Sequence, residues 1–229
     1  MNICVIPARG GSKRIPRKNI RLFNGKPMIA WSIEAAQKSN LFDKIIVSTD
    51  DEEIALVAKE FGAHVPFLRP AKLSDDYATT TAVMAHSVRW ALEAGFVVDI
   101  ACCLYATAPF VAASDLKYAF DVMNSGRWSY VFTVGEFSAP IYRSFKASPD
   151  GGVCMLFPEY FDTRSQDLPD TLFDAGMFYL GSTNAWLTGQ KIFDSRSYPI
   201  KIPSVRVHDI DTQDDWERAE LICQILSAE

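Results

Sequence analysis

Short apolar runs that lack polar alternation constrain this chain more than any other feature. "NICVIP" (2–7), "KIIVSTD" (44–50), "VPFL" (65–68), "DIACCLYA" (99–106), "SYVFTVG" (129–135) and "GMFYLG" (176–181) read as β-strands. Continuous apolar character is what a strand needs when helices cover both sheet faces. Helix-period segments lie between these runs. Residues 27–38 set Ile29, Ile33 and Ala36 on one face, and residues 79–94 do the same with Met84, Val88, Ala91 and Leu92. Shorter helices are expected over 51–61, opened by Asp51, Glu52 and Glu53, and over 114–123. A last helix, about 213–227, stripes Trp216, Ala219, Cys223 and Leu226. The alternation predicts an α/β fold with an open, doubly wound, mostly parallel sheet, and the length suits a single domain over 1–229.

One stretch breaks that rhythm. Residues 137–173 carry four prolines, a Gly-Gly pair and a run of aromatics. A structureless loop of that length is unusual inside a compact domain, so an arm or hairpin is expected, its aromatics set against a subunit partner in preference to a simple lid.

The chain carries 23 Lys and Arg against 28 Asp and Glu, a net charge of −5, which argues against a general nucleic-acid binder. No apolar stretch approaches the roughly 20 residues of a membrane span, and no signal-peptide pattern precedes Arg9; a cytoplasmic location is the expectation. The five cysteines are odd in number. Cys4, Cys102, Cys103 and Cys223 lie in apolar segments and read as reduced core thiols, with the adjacent Cys102 and Cys103 on opposite sheet faces.

Within this acidic chain, "ARGGSKRIPRKN" (8–19) collects Arg9, Lys13, Arg14, Arg17 and Lys18 directly after the first strand. In an open α/β sheet that loop is the usual phosphate cradle. Gly10 and Gly11 allow backbone N–H groups to approach an anion, and Ser12 adds a hydroxyl. Neither G-x-G-x-x-G nor a Walker A pattern is present, since Gly25-Lys26 is followed by Pro27. The loop therefore points to phosphate binding of another kind.

Near the other end, "VRVHDIDTQDDW" places Asp209 and Asp211 two apart in an extended segment. Such residues share a side at about 6–7 Å, close enough to address one hard cation, and magnesium suits that donor set. Capping of the last helix by Asp211 or Thr212 explains the same residues equally well. His208 reads as structural. Arg69, after "FL", follows a strand end and reads equally as a residue reaching a base or phosphate or as an ordinary surface arginine. Asp50, Asp51 and "SDDYATTT" (74–81) sit at helix starts, where capping is the simpler reading.

Taken together, "IPARGGSKRIPRKN", "GKPMIAWSIEAA", "IIVSTDDEEIA", "FLRPAKLSDD", "LYATAPF" and "HDIDTQDDW" resemble the nonulosonic-acid cytidylyltransferases, which activate sialic-type sugars as CMP conjugates. The likeness runs across nearly the whole chain. It leans toward the branch acting on pseudaminic acid through "LYATAP", where sialate enzymes carry glutamine in place of Tyr105, through "RSQDL", and through "DAGMFYLG". That last motif is similar to D-A-G-Q-F-Y-W, with Met177 and Leu180 as departures. The resemblance implies a nucleotide-diphospho-sugar transferase fold of the GT-A-like type and a homodimer whose protruding arm, 137–173, completes the neighbour's sugar site. It implies CTP as substrate and magnesium or another divalent cation on Asp209 and Asp211. Arg9, Ser12, Lys18 and Asn19 then hold the phosphates beside Gly10 and Gly11, with Ala8 and Arg9 backbone groups and Arg69 reading cytosine. Arg164 of the opposite subunit meets the sugar acid, and Tyr105, Thr107, Phe178 and Tyr179 line its pocket. Arg143 and Lys146 are further candidates there. Arg9, Lys18 and Asp211 are the catalytic candidates, with Asp211 or a metal-bound hydroxide as alternatives for taking the sugar's proton. Activation of N-acetylneuraminate, legionaminate or Kdo, or a non-catalytic CTP sensor, are the rival expectations.

Overall fold

The computed structural model describes residues 1–227. Ten strands and six helices follow in chain order: β1 (Asn2–Pro7), β2 (Leu22–Phe23), β3 (Lys26–Pro27), α1 (Met28–Ser39), β4 (Lys44–Ser48), α2 (Glu52–Glu60), α3 (Thr80–Glu93), β5 (Ile100–Leu104), α4 (Ala113–Met123), β6 (Tyr130–Glu136), β7 (Phe145–Ala147), β8 (Val153–Met155), β9 (Leu172–Ser182), α5 (Thr183–Thr188), β10 (Ser197–Lys201) and α6 (Gln213–Ser227). Six strands form the main sheet in the order β10-β6-β9-β5-β1-β4. β1 is parallel to β4 and β5, β10 is parallel to β6, and β9 runs antiparallel between β5 and β6. The sheet is thus mostly parallel, as the apolar strand character implies.

Period-two alternation divides the core. Cys4 and Ile6 face a layer containing Ile29 and Ile33 of α1, Leu116 of α4 and Trp216 of α6. Ile3 and Val5 face the opposite layer, with Met84 and Val88 of α3 and Trp186 of α5. Cys102 and Cys103 divide between the same two layers, and both are fully buried with Cys4, while Cys223 is buried too. Burial pushes the Cys102 and Cys103 thiols up, which keeps them as inert core groups. Among the described residues, no helix is long and apolar enough to cross a membrane.

The structure differs from the sequence reading at two strands. Residues 65–68 form no strand: isolated bridges flank and end the segment, Ile46 with His64 and Thr49 with Leu68. Pro66 has no N–H to donate to a ladder, which accounts for the interruption. Conversely, "SYPIK" forms β10 despite Pro199, because β10 is an edge strand and an edge tolerates proline.

The 137–173 excursion leaves at the end of β6 and returns into β9. It contains the β7–β8 hairpin and three short 3₁₀ turns. Tyr142 packs on Tyr160 and Phe157, with ring centroids 4.5 and 5.2 Å away. Phe145, Val153, Leu156 and Phe161 remain exposed.

Gly181 in β9 lies where an added Cβ would stand 2.6 Å from both Trp186 Nε1 and a Tyr130 ring carbon. The Trp186 indole donates to the Ala101 carbonyl at 2.9 Å, so the ring has little room to withdraw. Gly181→Ala should therefore cost about 1–3 kcal/mol through overpacking, read as a lower urea midpoint at unchanged slope.

Candidate active site

The basic loop leaves β1 at its C-terminal end, the end of a parallel sheet where α/β folds bind ligands. Two features pin it. Ile15 is buried in the core, and the Asn19 carboxamide donates to the Arg9 carbonyl at 2.9 Å, closing the loop on itself. Gly10 lies against the start of α2, where its N–H donates to Asp50 Oδ1 at 3.0 Å. Ala8 is buried, with its N–H donated to the Ser48 carbonyl at 3.0 Å.

A cavity of about 440 Å³ opens above this loop. Arg9, Ser12, Lys18 and Asn19 line it together with Tyr105 and Thr107. A second lobe of about 270 Å³ shares Pro7, Arg9, Asp76 and Tyr105 and adds Arg69. The structure thus brings the predicted phosphate residues, Arg69, Tyr105 and Thr107 to one continuous depression. Arg69 is 6% exposed, and its Nη2 lies 3.7 Å from Asp50 Oδ1. Desolvation, and then the nearby Arg9 charge, lowers its pKa, a strain that an added anion relieves.

The loop cations are matched by carboxylates from distant parts of the chain. Arg9 and Lys13 both reach Asp76, at 2.8 and 2.5 Å. Arg14 and Lys18 both reach Asp211, at 2.6 and 3.3 Å. Lys18 also donates to the Ile210 carbonyl at 2.7 Å, which draws the acidic segment to the cavity wall. Arg17 stands apart. Its left-handed backbone, φ 55°, turns the guanidinium to Asp51 and Glu53 at the start of α2, so it braces the loop rather than facing the cavity.

The helix-capping alternative for the acidic segment resolves in favour of Thr212. Its hydroxyl accepts the Asp215 N–H at 3.2 Å, and Asp215 accepts the Thr212 N–H at 2.9 Å. This reciprocal box starts α6 and leaves Asp211 free for the basic loop. The Asp209 carboxyl is held above the usual range by partial burial and then by the Asp211 charge beside it. His208 bonds the Val205 carbonyl and packs tilted against Phe110, with ring centroids 5.2 Å apart, a structural placement.

Other predicted residues fall elsewhere. Phe178 is fully buried in the α1-side core and has no surface to offer a ligand. Tyr179 points to the opposite layer, also buried, with its hydroxyl donated to Asp174 at 2.5 Å and its ring 5.6 Å from Tyr105. Tyr179 supports Tyr105 from behind and lines neither lobe. The Tyr105 hydroxyl is 2.9 Å from Thr80 Oγ1, and burial pushes the phenol up to about 12. Arg143 donates to the Phe161 and Thr163 carbonyls, bracing the excursion internally. Arg164 and Lys146 are exposed on the excursion. Met177 and Leu180 are both buried in the core, so these departures from the family motif are packing substitutions.

Lys13, Arg14, Asp76 and Thr80 belong to the depression as well. Lys13 and Arg14 carried a signal in the basic run; Asp76 and Thr80 were masked by a stretch that also caps α3.

A cation-lined depression lies at the carboxyl edge of the sheet, with Asp211 paired to two of its cations. A profile of the cytidylyltransferase family matches residues 3–139, and the chain belongs to that family. It is 44% identical to a pseudaminic acid cytidylyltransferase of Campylobacter jejuni strain 81-176, over 98% of this chain and 97% of that one. It is 33% identical to the CMP-N,N'-diacetyllegionaminic acid synthase of Legionella pneumophila, over 97% of this chain and 96% of that protein. Among solved structures, a CMP-2-keto-3-deoxy-manno-octonic acid synthetase complexed with CTP superposes with a TM-score of 0.70, at 18% identity over 97% of this chain and 98% of that one. That likeness supports the fold.

Two outcomes follow from the loop geometry. A Cβ on Gly10 would stand 2.6 Å from Asp51 Oδ2, an atom that Arg17 holds at 2.5 Å, whereas a Cβ on Gly11 meets nothing within 4 Å. Gly10→Ala should lose about 1–3 kcal/mol of stability and displace the loop, while Gly11→Ala stays within about 0.5 kcal/mol. Paired urea melts check this. The Asp51 carboxyl lies below its ordinary value chiefly through the Arg17 hydrogen bond. A depressed folded-state pKa gives stability that is present above the unfolded value, about 3.9, and is lost as pH falls through the folded one. Asp51→Asn should flatten the acid limb of stability against pH below about 5, measured by urea midpoints from pH 6 to 3.

Proposed function

We propose that this chain transfers CMP from CTP to the anomeric hydroxyl of pseudaminic acid, releasing pyrophosphate. The observation that carries the chemistry is that Arg9, Arg14 and Lys18 line one depression while Asp211, from the opposite end of the sequence, pairs with Arg14 and Lys18 beside it. The 44% identity over nearly the full length to a pseudaminic acid cytidylyltransferase supports the choice of sugar.

Asp209 and Asp211 suit a hard divalent cation such as magnesium. Both donors are oxygen, and the raised Asp209 pKa reflects two costs, first burial and then the Asp211 charge, that a dication would offset. A bound cation supplies Lewis-acid neutralisation of a triphosphate. The chain's own residues do the rest. Arg9 and Lys18 balance the charge that grows on the α-phosphate and on departing pyrophosphate during in-line attack. Gly10, Gly11 and Ser12 let the loop backbone approach the phosphates. Arg69, buried in the second lobe, reads the cytosine, and Tyr105, held by Thr80, and Thr107 face the sugar.

The reading extends to assembly. The whole of 1–229 acts as one cytidylyltransferase domain in the cytoplasm, and 137–173 is a dimerisation arm whose Arg164 meets the sugar carboxylate at the neighbour's site. Exposed Phe145, Val153, Leu156 and Phe161 on the arm support this. Sedimentation should give a dimer, and one carrying Phe145→Ser with Phe161→Ser should shift toward monomer.

Pyrophosphate release with CTP and magnesium, offered pseudaminic, N-acetylneuraminic and legionaminic acids separately, tests the reaction. Release with pseudaminic acid is expected. Release with another sugar alone keeps the chemistry and corrects the substrate, and CTP binding without any release favours a sensor. Arg9→Ala and Asp209→Ala should each lower turnover by about 100-fold or more, the scale of one lost charge contact. Turnover like that of the unsubstituted chain, at saturating CTP and magnesium, removes the residue concerned from the mechanism.

A further inference from the structure

Asp76 stands in the middle of the depression. It lines both lobes, on the segment between Pro70 and α3, and is half exposed. Its two carboxylate oxygens are divided between two loop cations: Oδ1 accepts from Arg9 Nη1 at 2.8 Å and Oδ2 accepts from Lys13 Nζ at 2.5 Å. The neighbouring Asp75 carbonyl takes a further Arg9 bond at 3.1 Å, so the guanidinium is held toward this segment by two acceptors. The segment has its own local order. Asp75 Oδ1 accepts the Tyr77 and Ala78 N–H groups at 3.0 and 2.8 Å, which leaves the Asp76 side chain to project toward the loop.

An anion bridging Arg9 and Lys13 is what a nucleotide phosphate would be. Asp76 presents a negative group with two oxygens to the same donors. Lys13 and Arg9 hold its carboxyl below the usual range, so it is ionised at any working pH. A triphosphate entering the depression meets that charge head-on, and either displaces it from the two cations or binds against it.

Resting on the reading of the depression as a CTP site, we propose that Asp76 is a built-in competitor for the phosphate-binding cations. It pairs Arg9 and Lys13 when the nucleotide is absent and opposes retention of CTP and pyrophosphate when they are present. The physical gain is twofold. The empty loop is spared the mutual repulsion of Arg9, Lys13 and the buried Arg69, and an exchangeable carboxylate stands ready to take the cations back as pyrophosphate leaves. Both effects depend on charge and not on shape.

Calorimetric titration tests this, with EDTA present so that no divalent cation contributes. CTP, inorganic pyrophosphate and uncharged cytidine are each titrated into the unsubstituted chain, Asp76→Asn and Asp76→Ser. Both variants should bind CTP and pyrophosphate about three- to tenfold more tightly than the unsubstituted chain, the scale of removing one exposed like charge from two contacts. The gain should shrink as salt rises, and cytidine should bind all three alike. Equal or weaker binding of CTP and pyrophosphate in both variants overturns the proposal and makes Asp76 an orienting partner for Arg9. Where the unsubstituted chain binds CTP only when magnesium replaces EDTA, the same comparison is read in magnesium; failure to bind CTP under both conditions overturns the underlying nucleotide reading instead, and the competitor with it. Melting temperatures show that the variants are folded; a solvated side chain should leave them within about 2 °C.

Discussion

The link from Lys18 to Ile210 and Asp211 ties the loop after the first strand to the segment before the last helix. Without it the cations and the carboxylates are two unrelated surface features. With it Asp211 is paired directly to two of the cations that line the depression. Arg14 on the same Asp211, and the Thr212–Asp215 box that starts α6, hold the acidic side of the link in place.

A cluster of like charges beside a sheet edge is unfavourable by itself. The chain manages it by giving each cation of the loop a carboxylate from elsewhere: Asp76 for Arg9 and Lys13, Asp211 for Arg14 and Lys18, Asp51 and Glu53 for Arg17. These pairs are unequal in kind. The Arg17 pair is bidentate and coincides with the N-cap of α2, so it belongs to the fold. The Asp76 pairs are solvated and sit inside the depression, so they belong to what the depression does.

Much of the fold could be read from the residues, because buried parallel strands and amphipathic helices write their periods directly into the sequence. The sites of error have equally plain causes. Apolar character alone made 65–68 look like a strand, and the missing N–H of Pro66 decided otherwise. Pro199 hid β10, whose edge position no local pattern reveals. The period of two along β9 already sets Phe178 and Leu180 away from Tyr179, and a stricter use of it would have kept Phe178 from the sugar pocket. The basic loop after the first strand and the acidic pair before the last helix were legible as candidates from the sequence alone. Which cation meets which carboxylate was not, because those partners lie tens to nearly two hundred residues apart and only the closed fold brings them together.

The excursion leaves from Glu136 and returns at Leu172, and those two residues are register partners on adjacent strands. Topologically, then, the whole appendage is the loop of a long β-hairpin whose stem is already zipped inside the main sheet. Loop-closure cost grows only slowly with length, and here the stem fixes the ends whatever hangs between them. The paired stem, rather than the length of the appendage, therefore holds the two strand ends together beside the rest of the sheet.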